Sequence, residues 1–88
     1  MYTYLAEFLG TLFFVYVIIA TGNPLAIGAA LALTILLISN VSSGYLNPVV
    51  TIVMASAGKI KVDEIIPYVI AQIFGGLVAL QLYTRYKV

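Results

Sequence analysis

Residues 42–51 read SSGYLNPVVT, and this stretch decides how the chain must fold. It lies inside a long apolar sequence, yet its serines, glycine and Asn-Pro pair are residues that break helices. Pro48 suits the first turn of a new helix, Asn47 can cap that helix, and Gly58 is typical of a helix end. About ten helical residues reach roughly 15 Å, half of a hydrocarbon core of roughly 30 Å. The stretch therefore predicts a re-entrant loop and half-helix over about residues 40–57, a device of channels and transporters.

Composition places the whole chain in a membrane. Of its 88 residues, 64% are hydrophobic and 8% are charged, whereas about a quarter are charged in an ordinary soluble domain. The charged residues leave two uncharged runs, residues 8–58 and residues 65–84. Runs of this kind indicate an integral membrane protein, although they do not say which membrane holds it.

Composition also argues against several functions. The net charge is +1 without a basic cluster, so nucleic acid is not an expected partner. The chain has no histidine and no cysteine, which removes the commonest metal ligand and acid–base group. Its acidic residues, Glu7, Asp63 and Glu64, are scattered and form no nucleophile–base pair. We therefore expect no enzyme activity, no cofactor and no metal.

Helix-breaking residues predict where the first apolar run reverses its direction. A single helix over residues 8–58 would extend roughly 76 Å, far beyond any bilayer. Gly22-Asn23-Pro24 predicts a turn between a helix of about residues 3–21 and a second of about residues 25–39. Asn40 can take the left-handed conformation that ends the second helix.

The second apolar run predicts the last helix, over about residues 64–83. Asp63 is expected as its N-cap, with Glu64 as a negative charge near the positive end of the helix dipole. The resulting prediction is an all-α membrane protein with three transmembrane helices and one re-entrant half-helix. Small residues spaced four apart predict close contacts between helices. These residues are Ala6/Gly10, Gly28/Ala32 and Ala71/Gly75/Ala79.

Three motifs along the chain read AEFLGT at residues 6–11, SSGYLNPVVT at residues 42–51 and PYVIAQIFGG at residues 67–76. In the same order, they resemble motifs in the first half of a major intrinsic protein, the aquaporin and glycerol-facilitator family. The resemblance covers nearly the whole chain. It implies that residues 1–88 form one aquaporin-like half-repeat.

The resemblance implies a pore motif at Asn47, Pro48 and Val49, where the family has Asn-Pro-Ala. The Asn47 amide would donate to a passing solute at mid-bilayer; the alternative is that Asn47 is only a helix cap. By the same resemblance, the carbonyls of Ser43, Gly44 and Tyr45 would line the solute path. Tyr45 replaces the family's usual histidine, which leaves the bracing of the loop at that position open.

Two polar residues match positions that brace this loop in the family, namely Glu7 and Gln72. A carboxyl group within the membrane is a candidate functional group by default. Because Glu7 is close to the N-terminus, snorkelling to the membrane surface is the alternative. Gln72 is expected to brace the structure rather than to bind solute.

Reading the family's filter positions onto two inverted copies gives Ile27 from one copy, with Ile35, Gly44 and Val50 from the other. The family's second half normally has arginine where this chain has Val50. An apolar filter without charge implies a permissive pore.

The leading hypothesis is a channel for water, small neutral solutes such as glycerol, or both, built in the lipid bilayer from half-length copies. One Asn-Pro-Val motif, where the family's pore has two opposed half-helices, implies a homodimer or a multiple of it. The basic residues are balanced between the two ends of the last helix, which leaves an antiparallel pair open. The alternatives are a non-conducting or regulatory subunit of a full-length aquaporin-like channel, and a piece of a longer protein.

Overall fold

The computed structural model describes residues 2–86, which form a bundle of four α-helices. Helix α1 is Thr3–Thr21, α2 is Pro24–Ile38, α3 is Pro48–Ser56 and α4 is Ile65–Arg85. A 3₁₀ turn, Val62–Glu64, leads into α4. No strand occurs in the described residues, so the predicted all-α class is confirmed. The predicted balance of basic residues around the last helix also includes Lys87, which lies outside the described residues.

The helices differ in how far they can reach across a bilayer. By length and composition, Thr3–Thr21 and Val62–Arg85 are apolar enough and long enough to cross it. The 15 residues of α2 extend about 22 Å and the 9 residues of α3 about 14 Å, against a core of roughly 30 Å. The bundle thus has two full-length spans, one shorter apolar helix and one half-length helix.

The turn between α1 and α2 is built by three consecutive residues. Gly22 has a φ of 56°, a left-handed conformation that glycine adopts without strain and that closes α1. Asn23 then caps α2, its Oδ1 accepting from the backbone N–H groups of Leu25 at 2.9 Å and Ala26 at 3.0 Å. Pro24 follows at the first helical position. These residues reverse the chain within a very short connection.

The predicted ending of α2 is wrong in its detail. Among the described residues other than glycine, a positive φ occurs only at Leu46, so Asn40 is not left-handed. Instead, Ser39 keeps a right-handed helical conformation. The backbone N–H groups of Val41 and Ser42 both donate to the Ile38 carbonyl, at 2.9 Å each. The helix therefore ends by a turn that satisfies its last carbonyl, without a left-handed residue.

The predicted N-cap of α4 is also wrong. Asp63 is exposed and lies within the 3₁₀ turn, and no side chain caps α4. The Glu64 carboxylate accepts the backbone N–H of Lys61 at 3.2 Å. The Glu64 side chain therefore stabilises the start of the 3₁₀ turn, because it can reach back three residues to the Lys61 N–H.

Helix α1 is the centre of the bundle and packs most extensively on α4 and then on α2. Glycines permit both contacts. A Cβ atom at Gly75 of α4 would lie 2.5 Å from the Phe8 carbonyl oxygen, and one at Gly10 would lie 2.8 Å from the Thr34 Cγ2. A larger residue at position 75 would therefore push α4 away from the backbone of α1, and one at position 10 would displace the Thr34 side chain.

The small residues predicted to pack on α2 are not the ones that do. Gly28 and Ala32 are exposed, whereas Ala30 and Thr34 are buried. Positions two residues apart on a helix point about 200° apart, so the packing face is nearly opposite to the one predicted. The small residues of α1 and α4, by contrast, include the buried Ala6, Gly10, Gly75 and Ala79.

Candidate functional site

The half-helix α3 begins with a capped Asn-Pro pair. Asn47 is extended (φ −155°, ψ 126°), and its Oδ1 accepts from the backbone N–H groups of Val49 at 2.7 Å and Val50 at 3.4 Å. The residue is exposed, and its side-chain nitrogen makes no hydrogen bond within residues 2–86. Capping and donating are therefore not exclusive, because they use opposite ends of one carboxamide. Val49, next to Pro48, is largely exposed.

Two left-handed residues shape the loop that leads to Asn47. Gly44 has a φ of 71° and Leu46 a φ of 55°. A left-handed leucine carries steric strain, so the surroundings must hold it in place. Leu46 is buried, and a Cβ at Gly44 would be 3.2 Å from Ile35 Cγ1. The loop is thus held tightly against α2 and the core.

The three loop carbonyls predicted to face solute belong to Ser43, Gly44 and Tyr45. Within the part of the chain that the structure describes, none of them accepts a backbone hydrogen bond outside the helices. The side-chain donors of the loop go elsewhere, the Ser42 hydroxyl to Glu7 being an example. These oxygens are therefore free to accept from another molecule.

Glu7 is fully buried against this loop, so it does not snorkel to the surface. Its Oε1 accepts from the Leu46 backbone N–H at 2.9 Å and from Gln72 Nε2 at 3.0 Å. Its Oε2 accepts from the Ser42 hydroxyl. Three donors on one carboxylate link α1 to both ends of the loop and to α4. Hydrogen bonds to a charged acceptor are stronger than those between neutral groups.

Gln72 extends the same network to the half-helix. Its Nε2 also donates to the Thr51 hydroxyl at 2.8 Å, and that hydroxyl donates to the Asn47 carbonyl at 2.9 Å. Thr51 and Gln72 are both buried. Sequence reasoning missed Thr51. Its spacing of four residues from Asn47, which places both on one face of α3, was the available signal.

Tyr45 is held by aromatic packing. Its ring centroid lies 5.5 Å from that of the buried Tyr68, with a tilt of 32°. Tyr68 in turn makes an edge contact with Tyr4, at 5.4 Å and 88°. Such pairs stabilise by about 0.5–1.5 kcal/mol beyond their burial. At the position where the family usually has histidine, the loop of this chain is thus held by contacts between aromatic rings.

The candidate filter residues lie on two helices. Ile35 packs against Gly44, and Val50 is exposed in the first turn of α3. Ile27 is half-buried near the start of α2. It precedes Ile35 by eight residues, about 12 Å along the helix, so the two do not lie at one level of a single copy.

A groove of about 390 Å³ lies beside Asn47 and Pro48, between α1 and α4. Its polar lining consists of Thr11, Asn47 and Gln72. The rest is largely apolar and includes Phe14, Val15, Ile18, Ile73 and Leu77. In residues 2–86, no group of histidine, cysteine and acidic side chains could hold a metal ion.

Known proteins resemble this sequence over nearly its whole length. The family model for Major intrinsic protein matches residues 1–87. The chain is 43% identical over 88 residues to Glycerol uptake facilitator protein-like 6 of Lactiplantibacillus plantarum, covering 90% of this chain and 41% of that protein. It is 34% identical over 94 residues to Aquaporin Z of Rhodopseudomonas palustris, covering 90% of this chain and 39% of that protein.

A shorter match reaches Aquaporin-8 of Notomys alexis, 45% identical over 58 residues, or 66% of this chain and 22% of that protein. No solved structure matches the chain. The chain thus spans about two fifths of the length of the first two relatives named.

Proposed function

Since this chain belongs to the major intrinsic protein family, we propose that it forms a membrane channel for water, for small neutral solutes such as glycerol, or for both. It is an integral membrane protein, with apolar spans at Thr3–Thr21 and Val62–Arg85. The names of its relatives support both solutes, since one is a glycerol uptake facilitator-like protein and another is Aquaporin Z.

The observation that carries the proposal is the Asn47 carboxamide. Its oxygen is held by the first turn of α3, so its nitrogen points away from the helix and can donate to a solute oxygen. The start of a helix adds roughly half a positive charge behind that donor. A donor and a positive dipole end together orient water and oppose cations. The free loop carbonyls supply the matching acceptors.

The conducting unit, in this proposal, contains at least two copies of this half-repeat. One copy offers a single half-helix, and its loop leaves free carbonyls that would cost several kcal/mol each in lipid. Within residues 2–86, the groove is lined by α1, by α4, by the end of the loop at Leu46 and Asn47, and by Pro48 of α3. A second copy can complete the wall that one copy leaves open.

An antiparallel arrangement of the two copies fits the charge distribution. Lys59 and Lys61 precede α4 in the sequence, whereas Arg85 is its last residue and Lys87 comes two residues later in the sequence. Orientation in the membrane follows the difference in basic residues between the two sides, and here the sides are equal. The basic residues on either side of α4 therefore give no preference for one orientation.

Flux through proteoliposomes tests this function, with Asn47→Ala as the variant and Asn23→Ala as the matched control. Both asparagines cap a helix through Oδ1 and precede a proline, but Asn23 does not line the groove. Each substitution removes a cap worth about 1 kcal/mol. We expect stopped-flow light scattering to show most of the flux lost in Asn47→Ala and retained in Asn23→Ala.

Equal flux in both variants would contradict the role of Asn47. No flux from the pure wild-type chain, together with a changed flux when it is added to a full-length relative, would instead support the regulatory subunit.

A further inference from the structure

Two buried polar atoms beside the Glu7 network have no hydrogen-bond partner in the described residues, namely Thr11 Oγ1 and Gln72 Oε1. Thr11 is 4% exposed and Gln72 is 2% exposed. Both residues line the groove between α1 and α4. Buried side-chain oxygens are almost always paired with protein or with an ordered water, so two orphans at one place point to a ligand.

Thr11 differs from the other threonines within the helices, because each of those donates its hydroxyl to a backbone carbonyl. A helical threonine commonly donates its hydroxyl to the carbonyl one turn earlier. Thr21 and Thr34 do so at 2.7 Å, and Thr51 donates to the Asn47 carbonyl at 2.9 Å. The Thr11 hydroxyl makes no such bond. Its own helix therefore does not satisfy it.

Gln72 has the complementary requirement. Its Nε2 is fully used by Glu7 and Thr51, at 3.0 and 2.8 Å, which turns Oε1 away from both. That oxygen can only accept a hydrogen bond.

The two orphan groups lie in the same contact between helices. A Cβ at Gly75 would be 3.1 Å from Thr11 Cβ, so α4 touches α1 at Thr11. Gln72 precedes Gly75 by three residues, about one turn of α4, and lies on the same side of that helix. The hydroxyl and the amide oxygen therefore lie at neighbouring levels of one buried seam that opens into the groove.

We propose that Thr11 Oγ1 and Gln72 Oε1 bind a resident water molecule at the inner end of the groove. Water can donate to the Gln72 oxygen and exchange a second hydrogen bond with the Thr11 hydroxyl, and buried waters typically have two to four polar partners. This water keeps the Gln72 carboxamide oriented, with its nitrogen toward Glu7 and Thr51. It is thus a positioning part of the loop brace. The proposal does not depend on conduction.

Water-to-methyl cross-relaxation measured by NMR in detergent micelles tests the site. The wild-type chain should show a rotating-frame cross-peak between water and the Thr11 methyl, with the sign of a long-lived contact. Thr11→Val keeps the shape of the side chain but removes the hydroxyl, and the methyl groups at position 11 should then lose this cross-peak. Thr34→Val is the matched control, because Thr34 is buried but bonded to Ala30; it should leave the Thr11 cross-peak unchanged.

Three results would overturn the proposal. They are a wild type without the cross-peak, a cross-peak that persists in Thr11→Val, and an intermolecular contact from a second copy at that place in mixed-label samples. A crystal structure of the wild type provides an independent check. It should show one density peak within hydrogen-bond distance of both oxygens, and that peak should be absent from Thr11→Val.

Discussion

Replacing Glu7 tests the brace on which the whole site depends. In Glu7→Ala, the buried Leu46 backbone N–H and one N–H of Gln72 Nε2 lose their acceptor, as does the half-buried Ser42 hydroxyl. A buried donor left unsatisfied costs about 1–3 kcal/mol, so the two buried N–H groups together give a loss of about 2–6 kcal/mol. The left-handed Leu46 then loses the contact that holds its strained backbone. We expect the loop to loosen and the flux to fall to background.

Glu7→Gln separates the charge from the geometry. The new amide oxygen can accept from Leu46 and Gln72, while its nitrogen can donate to the Ser42 hydroxyl. The charge assistance is lost, about 1 kcal/mol per bond and so about 3 kcal/mol at most, and the Ser42 hydroxyl changes from donor to acceptor in its bond to position 7. This variant should therefore be less destabilised than Glu7→Ala and should retain part of its flux.

Reversible unfolding in mixed micelles, followed by circular dichroism as the SDS fraction rises, measures these losses. Glu64→Ala is the control, because Glu64 is partly exposed and accepts one bond, from Lys61. It should lose about 1 kcal/mol or less. If Glu7→Ala were no worse than Glu64→Ala, then Glu7 would not brace the loop and the argument from its burial would be refuted.

Three further predictions follow from the proposed channel. Val50→Arg should cut glycerol flux more than water flux in light-scattering assays, because it adds a donor and a positive charge beside Asn47; equal losses would refute the filter assignment. Cross-linking in lipid should give dimers or multiples of them, and a conducting monomer would contradict the assembly. A C-terminal tag should be accessible from both sides of the membrane in intact cells, whereas a tag on one side only would exclude the antiparallel pair.

Local chemistry accounts for the parts of the fold that could be predicted from sequence. Clusters of glycine, asparagine and proline break helices where a single glycine does not, since Gly10 and Gly75 lie within α1 and α4. Residues 22–24 and 42–48 form such clusters and therefore indicate the turns. The fine structure of the helix ends was less accessible. A carbonyl at a helix end can accept hydrogen bonds from several different donors. At Ile38 the donors are the backbone N–H groups of Val41 and Ser42, and this ending needs no left-handed residue at Asn40.

Contacts between distant residues limited the prediction of the site. Motif resemblance pointed to Glu7, Asn47 and Gln72 one by one, but no local signal joined Gln72 to Thr51, which is 21 residues away. The same limit explains the pairing of Tyr45 with Tyr68. Which face of α2 meets α1 was also undecided by spacing alone, since small residues occur on both faces of that helix.

Asparagine at position 47 meets two requirements, namely an oxygen that caps α3 and a second group that can donate to a solute. Serine, threonine, aspartate and asparagine all cap a helix well, because each has a side-chain oxygen that can accept from the first turn. Once that oxygen is used, aspartate has no hydrogen to donate, and a hydroxyl has one. Asparagine retains a nitrogen with two donors, and the capping bonds fix the direction in which it points. Asn23 meets the same capping requirement on α2 but lies away from the groove. A capping asparagine alone therefore does not identify a functional site. Asn47 differs from Asn23 because the groove and the Glu7 network lie beside it.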